Sequence, residues 1–328
     1  MRTTTEKKQA STRIATTEGI LELMEADPRI TLVTSDSLLV IKGQPIVDRF
    51  PDRVVEVGIA EQSGVDIAAG LASAGVIPYY TTYAGFITMR ACEQVRTFVG
   101  YSHLNVKLVG ANGGIAGGER EGPTHQFIED IGITRMVPGM TVVVPADASQ
   151  TREAVKAVAE VDGPCYIRIG SGRDPVVFDD PPPFELGTAR ILAQHGTDVA
   201  FFACGAVLPR VLEAAAALAT EGLGATVVEV HTIKPIDTDT VSQVAATCGA
   251  AVTVEDHTII GGLGSAVAET GCAAAPVPTE RVGVRDLFAR SGLPDDLLDA
   301  FGMSVADIAA AAKRVTKRKR SLREGGAR

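Results

Sequence analysis

Apolar and polar positions along the chain follow two alternating rhythms. Over residues 11–26, Ile14, Ile20, Leu21 and Leu23 recur at helical spacing and Pro28 closes the segment, which predicts a helix. Residues 30–34 and 54–57 are β-branched runs of strand length. Residues 59–74 predict a second helix, stopped by Gly75, with so few polar positions that all of it is expected to be buried. The alternation continues with a strand at 76–82, a helix at 86–99 and a strand at 106–110. A glycine-rich loop at 112–122 leads into a helical segment at 124–134, followed by strand 141–144, helix 149–161 and strand 165–169. Strands separated by helices of this length imply parallel β-α-β units.

Residues 170–187 break the pattern, because Asp179-Asp180-Pro181-Pro182-Pro183 continues neither a helix nor a central strand. Beyond it the rhythm restarts. Strands are predicted at 199–203, 226–230, 252–255 and 281–284, and helices at 208–220, 241–247, 265–275 and 304–317. The expected fold is therefore α/β, with two consecutive parallel-sheet domains at 11–175 and 186–315. The basic residues 316–328 read as a solvated, frayed tail.

Composition narrows the function. At 328 residues, with 45% hydrophobic content, 34 glycines and 5% aromatics, the chain can build two cores from small residues. A formal net charge of −9 disfavours nucleic acid, whose phosphates need a basic face. The five cysteines show no C-x-x-C spacing, which points to reduced thiols in a cytoplasmic setting. The first residues carry no apolar leader, and the longest apolar run is too short to span a bilayer, so no membrane role is expected.

Two polar clusters stand out against these apolar surroundings. Glu61 lies in Glu56-Val57-Gly58-Ile59-Ala60-Glu61-Gln62, followed by Gly64, Val65, Ile67, Ala68 and Ala69. With no lysine or arginine nearby in sequence, a buried acid there needs a task or a distant partner. The second cluster, Glu121-Gly122-Pro123-Thr124-His125-Gln126, puts a histidine in a glycine-rich loop, where side chains more often face ligands than cores.

With Glu255-Asp256-His257 and Gly261-Gly262-Leu263-Gly264-Ser265, these motifs give the chain, over about residues 11–310, a resemblance to the C-terminal half of transketolase. The resemblance implies a pyrimidine-binding domain for thiamine diphosphate followed by a transketolase C-terminal domain. Glu61 would serve the cofactor's aminopyrimidine, with Phe86 stacked on that ring and Tyr83 beside it. His125 would face the substrate, as would Glu121, Arg13 and Arg173. Complete transketolases usually carry aspartate in place of Glu121, and their phosphate-binding arginine falls here on Ser171, with Arg168 and Arg173 close by.

In that family the diphosphate and its Mg²⁺ (or Ca²⁺ or Mn²⁺) are held by a separate domain with a Gly-Asp-Gly motif. The chain contains no Gly-Asp-Gly. The resemblance therefore implies one subunit of a split transketolase, without a metal site of its own, completed by an N-terminal-half partner in an α2β2 heterotetramer. The expected reaction is transfer of a two-carbon ketol unit from a ketose to an aldehyde. Two alternatives share the architecture or the interface: the β subunit of a 2-oxo acid dehydrogenase or a deoxyxylulose-phosphate-synthase-like enzyme, and a non-catalytic scaffold subunit. The Gly261–Gly264 turn, lacking G-x-G-x-x-G spacing, reads as structural.

Overall fold

The computed structural model describes residues 8–117 and 121–325. The start of the chain, three residues of the glycine-rich loop and the last three of the basic tail lie outside the described residues. Two α/β sheets follow one another along the chain. The first has seven strands in the spatial order Thr232–Lys234, Thr141–Val143, Cys165–Arg168, Lys107–Ala111, Ile77–Tyr83, Ile30–Thr34 and Val54–Glu56. The second has five, in the order Thr279–Val284, Ala251–Thr258, Val199–Ala203, Ala225–Glu229 and Arg190–Gln194. Both are parallel except for one antiparallel edge strand each.

That edge strand ties the halves together. Thr232–Lys234 comes from the C-terminal half of the chain yet pairs with Thr141–Val143 of the first sheet. One apolar core runs across both sheets, joining Leu108, Val142 and Val144 to Phe202, Val228 and Leu263. The central strands are buried on both faces, so they read as continuous apolar runs, the usual signature of parallel sheets under helices.

Three expectations are corrected. Helix Glu61–Ser73 buries Glu61, Gly64, Val65, Ala68 and Ala69 but exposes Gln62, Ser63, Asp66, Ile67 and Gly70, so it is covered on one face only. Apart from Glu61, its polar positions Gln62, Ser63, Asp66 and Ser73 fall on the exposed side, at the three-to-four spacing of an amphipathic helix. The helix expected at 124–134 is replaced by a shorter one, Asp130–Met136, because residues 123–125 form a turn in which the His125 N–H donates to the Gly122 carbonyl at 2.9 Å, and Phe127 then bridges Gly113. The basic tail is not frayed from residue 316: helix Val305–Gly325 runs through it. Val315 and Thr316 are buried there, and Lys319 Nζ donates to the carbonyls of Cys248 and Asp198.

Among the described residues, no helix is long and apolar enough to cross a membrane. All five cysteines are free thiols, Cys92 and Cys272 exposed and the others buried.

Candidate active site

Glu61 opens its helix directly after strand Val54–Glu56. Glu56 sets the approach: its carboxylate accepts from the backbone N–H of Asp36 at 2.7 Å and of Gly58 at 2.8 Å. Gly58 takes a φ of 69°, which only glycine adopts without penalty. The Tyr80 hydroxyl bonds Ser35 at 2.7 Å and donates to the Glu61 carbonyl at 3.3 Å. Gly64 makes this possible, since a Cβ there would stand 2.7 Å from that hydroxyl.

The Glu61 side chain is 2% exposed, and it is not alone. Arg90 Nη1 donates to its Oε2 at 2.7 Å, supplying the cation that the local sequence lacks. Arg90 reaches it from the helix that also carries Phe86. The regular helix expected at 86–99 is instead two π-helical segments, Phe86–Arg90 and Val95–Tyr101, joined by Cys92–Gln94. The first is closed by the Ala91 N–H donating to the Phe86 carbonyl at 3.2 Å. In such a wide turn, residues four apart lie nearly one above the other. The Arg90 Cζ accordingly sits 4.2 Å from the centroid of the Phe86 ring, a cation–π distance.

The structure also brings Tyr83, Phe86 and His125 together. Ring centroids are 5.5 Å apart for Tyr83–Phe86, 5.0 Å for Tyr83–His125 and 5.1 Å for Phe86–His125, all edge-to-face. Phe127 extends the cluster, its centroid 5.3 Å from that of Phe86. It can do so because residue 85 is glycine: a Cβ there would fall 1.7 Å from the Phe127 ring. Tyr83, Phe86 and His125 are half-buried, so the cluster forms a floor open to solvent on one side.

The loop bearing His125 is held by the second sheet. Asp256 accepts from the backbone N–H of Ile115 at 2.9 Å and of Ala116 at 3.2 Å. Gln126 donates to the carbonyls of Ile115 and Arg290, and His125 Nδ1 lies 3.0 Å from the Thr124 hydroxyl. Glu121 is exposed at the rim of this loop. Tyr83 registers both Glu121 and Arg13: burial pushes its phenol up, the Glu121 anion adds to this, and the Arg13 cation opposes it.

Arg13 donates to Asn112 Oδ1. Asn112 is buried with a left-handed φ of 58°, and its Nδ2 has no partner among the described residues. Arg173 is exposed and lines a separate cleft of about 430 Å³ with Gly113, Ser171, Asp174 and Asp256, which none of Glu61, Tyr83, Phe86 or His125 lines. The Gly261–Gly264 turn is filled by the chain itself, since Glu255 accepts from the N–H groups of Leu263 and Gly264 at 2.7 and 2.8 Å. Among the described residues, no group of three or more His, Cys, Asp or Glu is placed to hold a metal ion.

Sequence reasoning missed Arg90, Asn112, Phe127 and Asp256. For Asn112 a signal existed, because asparagine before two glycines favours a left-handed turn. For Arg90 none did, as its contact with Phe86 depends on the local helix pitch.

Residues 8–172 match the transketolase pyrimidine binding domain, and residues 187–308 match the transketolase C-terminal domain. The chain belongs to the transketolase family. It is 41% identical to the 6-deoxy-6-sulfo-D-fructose transketolase subunit SqwH of Clostridium sp. (strain MSTE9), over 92% of each chain. It is 35% identical to an apulose-4-phosphate transketolase subunit of Phocaeicola vulgatus, over 92% of this chain and 96% of that one. Among solved structures, a split-gene transketolase described as an inactive beta4 tetramer superposes with a TM-score of 0.86 at 39% identity, covering 95% of this chain and all of that one. The chain is thus similar, nearly end to end, to subunits of split transketolases.

Proposed function

We propose that this chain is the β subunit of a split, thiamine diphosphate-dependent transketolase that moves a two-carbon ketol unit from a ketose to an aldehyde. A partner chain bearing Gly-Asp-Gly holds the diphosphate and its Mg²⁺, in an α2β2 assembly. The observation that carries this reading is the convergence of Glu61, Phe86, Tyr83 and His125 around one half-open floor. These residues suit an aminopyrimidine. A planar, N–H-bearing group, the Arg90 guanidinium, already lies over Phe86 while donating to Glu61.

When bound, thiamine diphosphate supplies the carbon centre at which the sugar C–C bond is broken and remade. Phe86 and Tyr83 fix the tilt of the pyrimidine, and Glu61 holds a proton at its ring nitrogen N1′. His125 donates to a substrate hydroxyl or to the oxygen on which charge develops. Glu121 and the Asn112 Nδ2 are assigned to sugar hydroxyls. The substrates named for the two relatives each carry an anionic group, a sulfonate or a phosphate, and Arg13, near Tyr83 and bonded to Asn112, is the cation assigned to such an end here, Arg173 lining the separate cleft. Five free thiols support a cytoplasmic setting.

The test is reconstitution. The chain alone is expected to be inactive, in keeping with the inactive tetramer among its relatives, and addition of the Gly-Asp-Gly partner is expected to give ketol transfer dependent on thiamine diphosphate. Full activity from the isolated chain would remove the split assignment. Release of CO₂ from pyruvate by the reconstituted pair would move it to the 2-oxo acid dehydrogenases.

A further inference from the structure

We infer that Arg90 is a stand-in for the cofactor's aminopyrimidine: its guanidinium fills the place between Phe86 and Glu61 in the free chain and swings to solvent when the ring binds. The inference rests on the thiamine reading above and adds to it a displaceable occupant. Two contacts and a chemical likeness carry it. The guanidinium makes the two contacts expected of the ring, one over the Phe86 face at 4.2 Å and one to Glu61 Oε2 at 2.7 Å. Like an aminopyrimidine it is planar, delocalised and equipped with N–H donors. The two groups cannot share that space.

The exposures of the pair are unequal. Glu61 is 2% exposed and Arg90 45%. A buried carboxylate stripped of its donor is costly, so Glu61 needs an occupant whenever the cofactor is absent. Arg90 already has one side in water, and on leaving it regains the hydration of the other. The exchange therefore keeps Glu61 satisfied before and after binding, and the cost falls on the free state in which Arg90 must be displaced. The π-helical turn from Phe86 to Arg90 is the device that sets the arginine over the ring. Wide turns of this kind recur at functional sites.

The experiment uses the reconstituted two-chain complex, titrated with thiamine diphosphate by calorimetry, together with thermal melts of the cofactor-free and loaded forms. In Arg90→Ala the occupant is gone, so cofactor affinity is expected to rise on the order of tenfold, as when a competing state is removed. The cofactor-free melt is expected to fall while the loaded melt stays at the wild-type value. Arg90→Lys, which keeps the charge but loses the planar stack, is expected to lie between, and it decides the matter by the same criteria if the alanine variant does not fold. Weaker binding in either variant would mean that Arg90 grips the cofactor and would overturn the inference. Unchanged affinity with an unchanged cofactor-free melt would make it a bystander and overturn it equally. A wild-type complex that binds no thiamine diphosphate would overturn the functional reading and the inference together, an outcome distinct from wild-type binding that the variants fail to tighten.

Discussion

At the scale of single residues, the site is a set of side chains that share one small volume because backbone without side chains makes room for them. Glu61 is the residue on which the proposed chemistry depends. Replacing it with alanine removes the group that holds the proton at the pyrimidine, and ketol transfer by the reconstituted complex is expected to fall by roughly 10²- to 10⁴-fold. A coupled assay reads this, and unchanged turnover would return the chain to the scaffold reading. Gly85 is the clearest case of a residue required for its emptiness. Its Cβ position is 1.7 Å from the Phe127 ring, so Gly85→Ala forces Phe127 away from Phe86 and is expected to cost about 1–3 kcal/mol of stability in urea unfolding. An unperturbed midpoint would show that the ring relocates freely. The motif around Glu61, the aromatic pair at Tyr83 and Phe86, and the loop histidine were all legible in the sequence. Their mutual distances were not, and neither was Arg90, because the pairing of residues 29 apart is set by how two helices pack.

At the scale of elements, legibility followed the length of the pattern. Strands such as Ile30–Thr34 and Val199–Ala203 and helices such as Leu208–Thr220 carry several residues of one period, and each coincides with its expected span. Short or irregular elements were lost. Arg190–Gln194 pairs antiparallel at a sheet edge, half-exposed and without a continuous apolar run. The π-helical segments keep an apolar face that reads as ordinary helix, since one added residue per turn barely changes a pattern this short. The last helix was misjudged for a different reason: its charge density hid a buried stripe. Ala311, Ala312, Val315 and Thr316 are buried, while Arg314 and Arg318 reach Glu280 at 3.2 and 3.6 Å. A chain ending after residue 315 is accordingly expected to melt roughly 2–4 °C lower. A solvated tail would leave the melting temperature where it was, and scanning calorimetry distinguishes the two.

At the scale of the whole molecule, the two sheets are joined by titratable groups as well as by apolar ones. From strand Ala251–Thr258 of the second sheet, the Asp256 and His257 side chains reach the first half of the chain: Asp256 anchors the loop that leads to His125, and His257 Nε2 accepts from the Gly132 N–H at 3.2 Å. Beside them, burial raises Glu255 to about 7 from an ordinary 4.5, with the Leu263 and Gly264 N–H groups and the charges of Arg168 and Arg281 opposing. Burial lowers His257 to about 4 from 6.5, against the pull of Asp130. The two effects have opposite signs. Around Glu255 the folded chain binds more protons than the unfolded one, so its contribution is full below pH 4.5 and is lost as pH rises through about 7. Around His257 the unfolded chain binds more, so that contribution is present above pH 6.5 and is lost as pH falls through about 4. Glu229, also near 7, and His231, near 4, repeat the opposition. Over their shared range the acids and histidines offset one another, which predicts a shallow pH dependence for the native chain. Glu255→Gln deletes one falling contribution while leaving an acceptor for the Leu263 or Gly264 N–H. The melting temperature of this variant, taken relative to wild type, is expected to rise between pH 5 and pH 7.5. A constant offset across that interval would show that Glu255 does not change its protonation on folding.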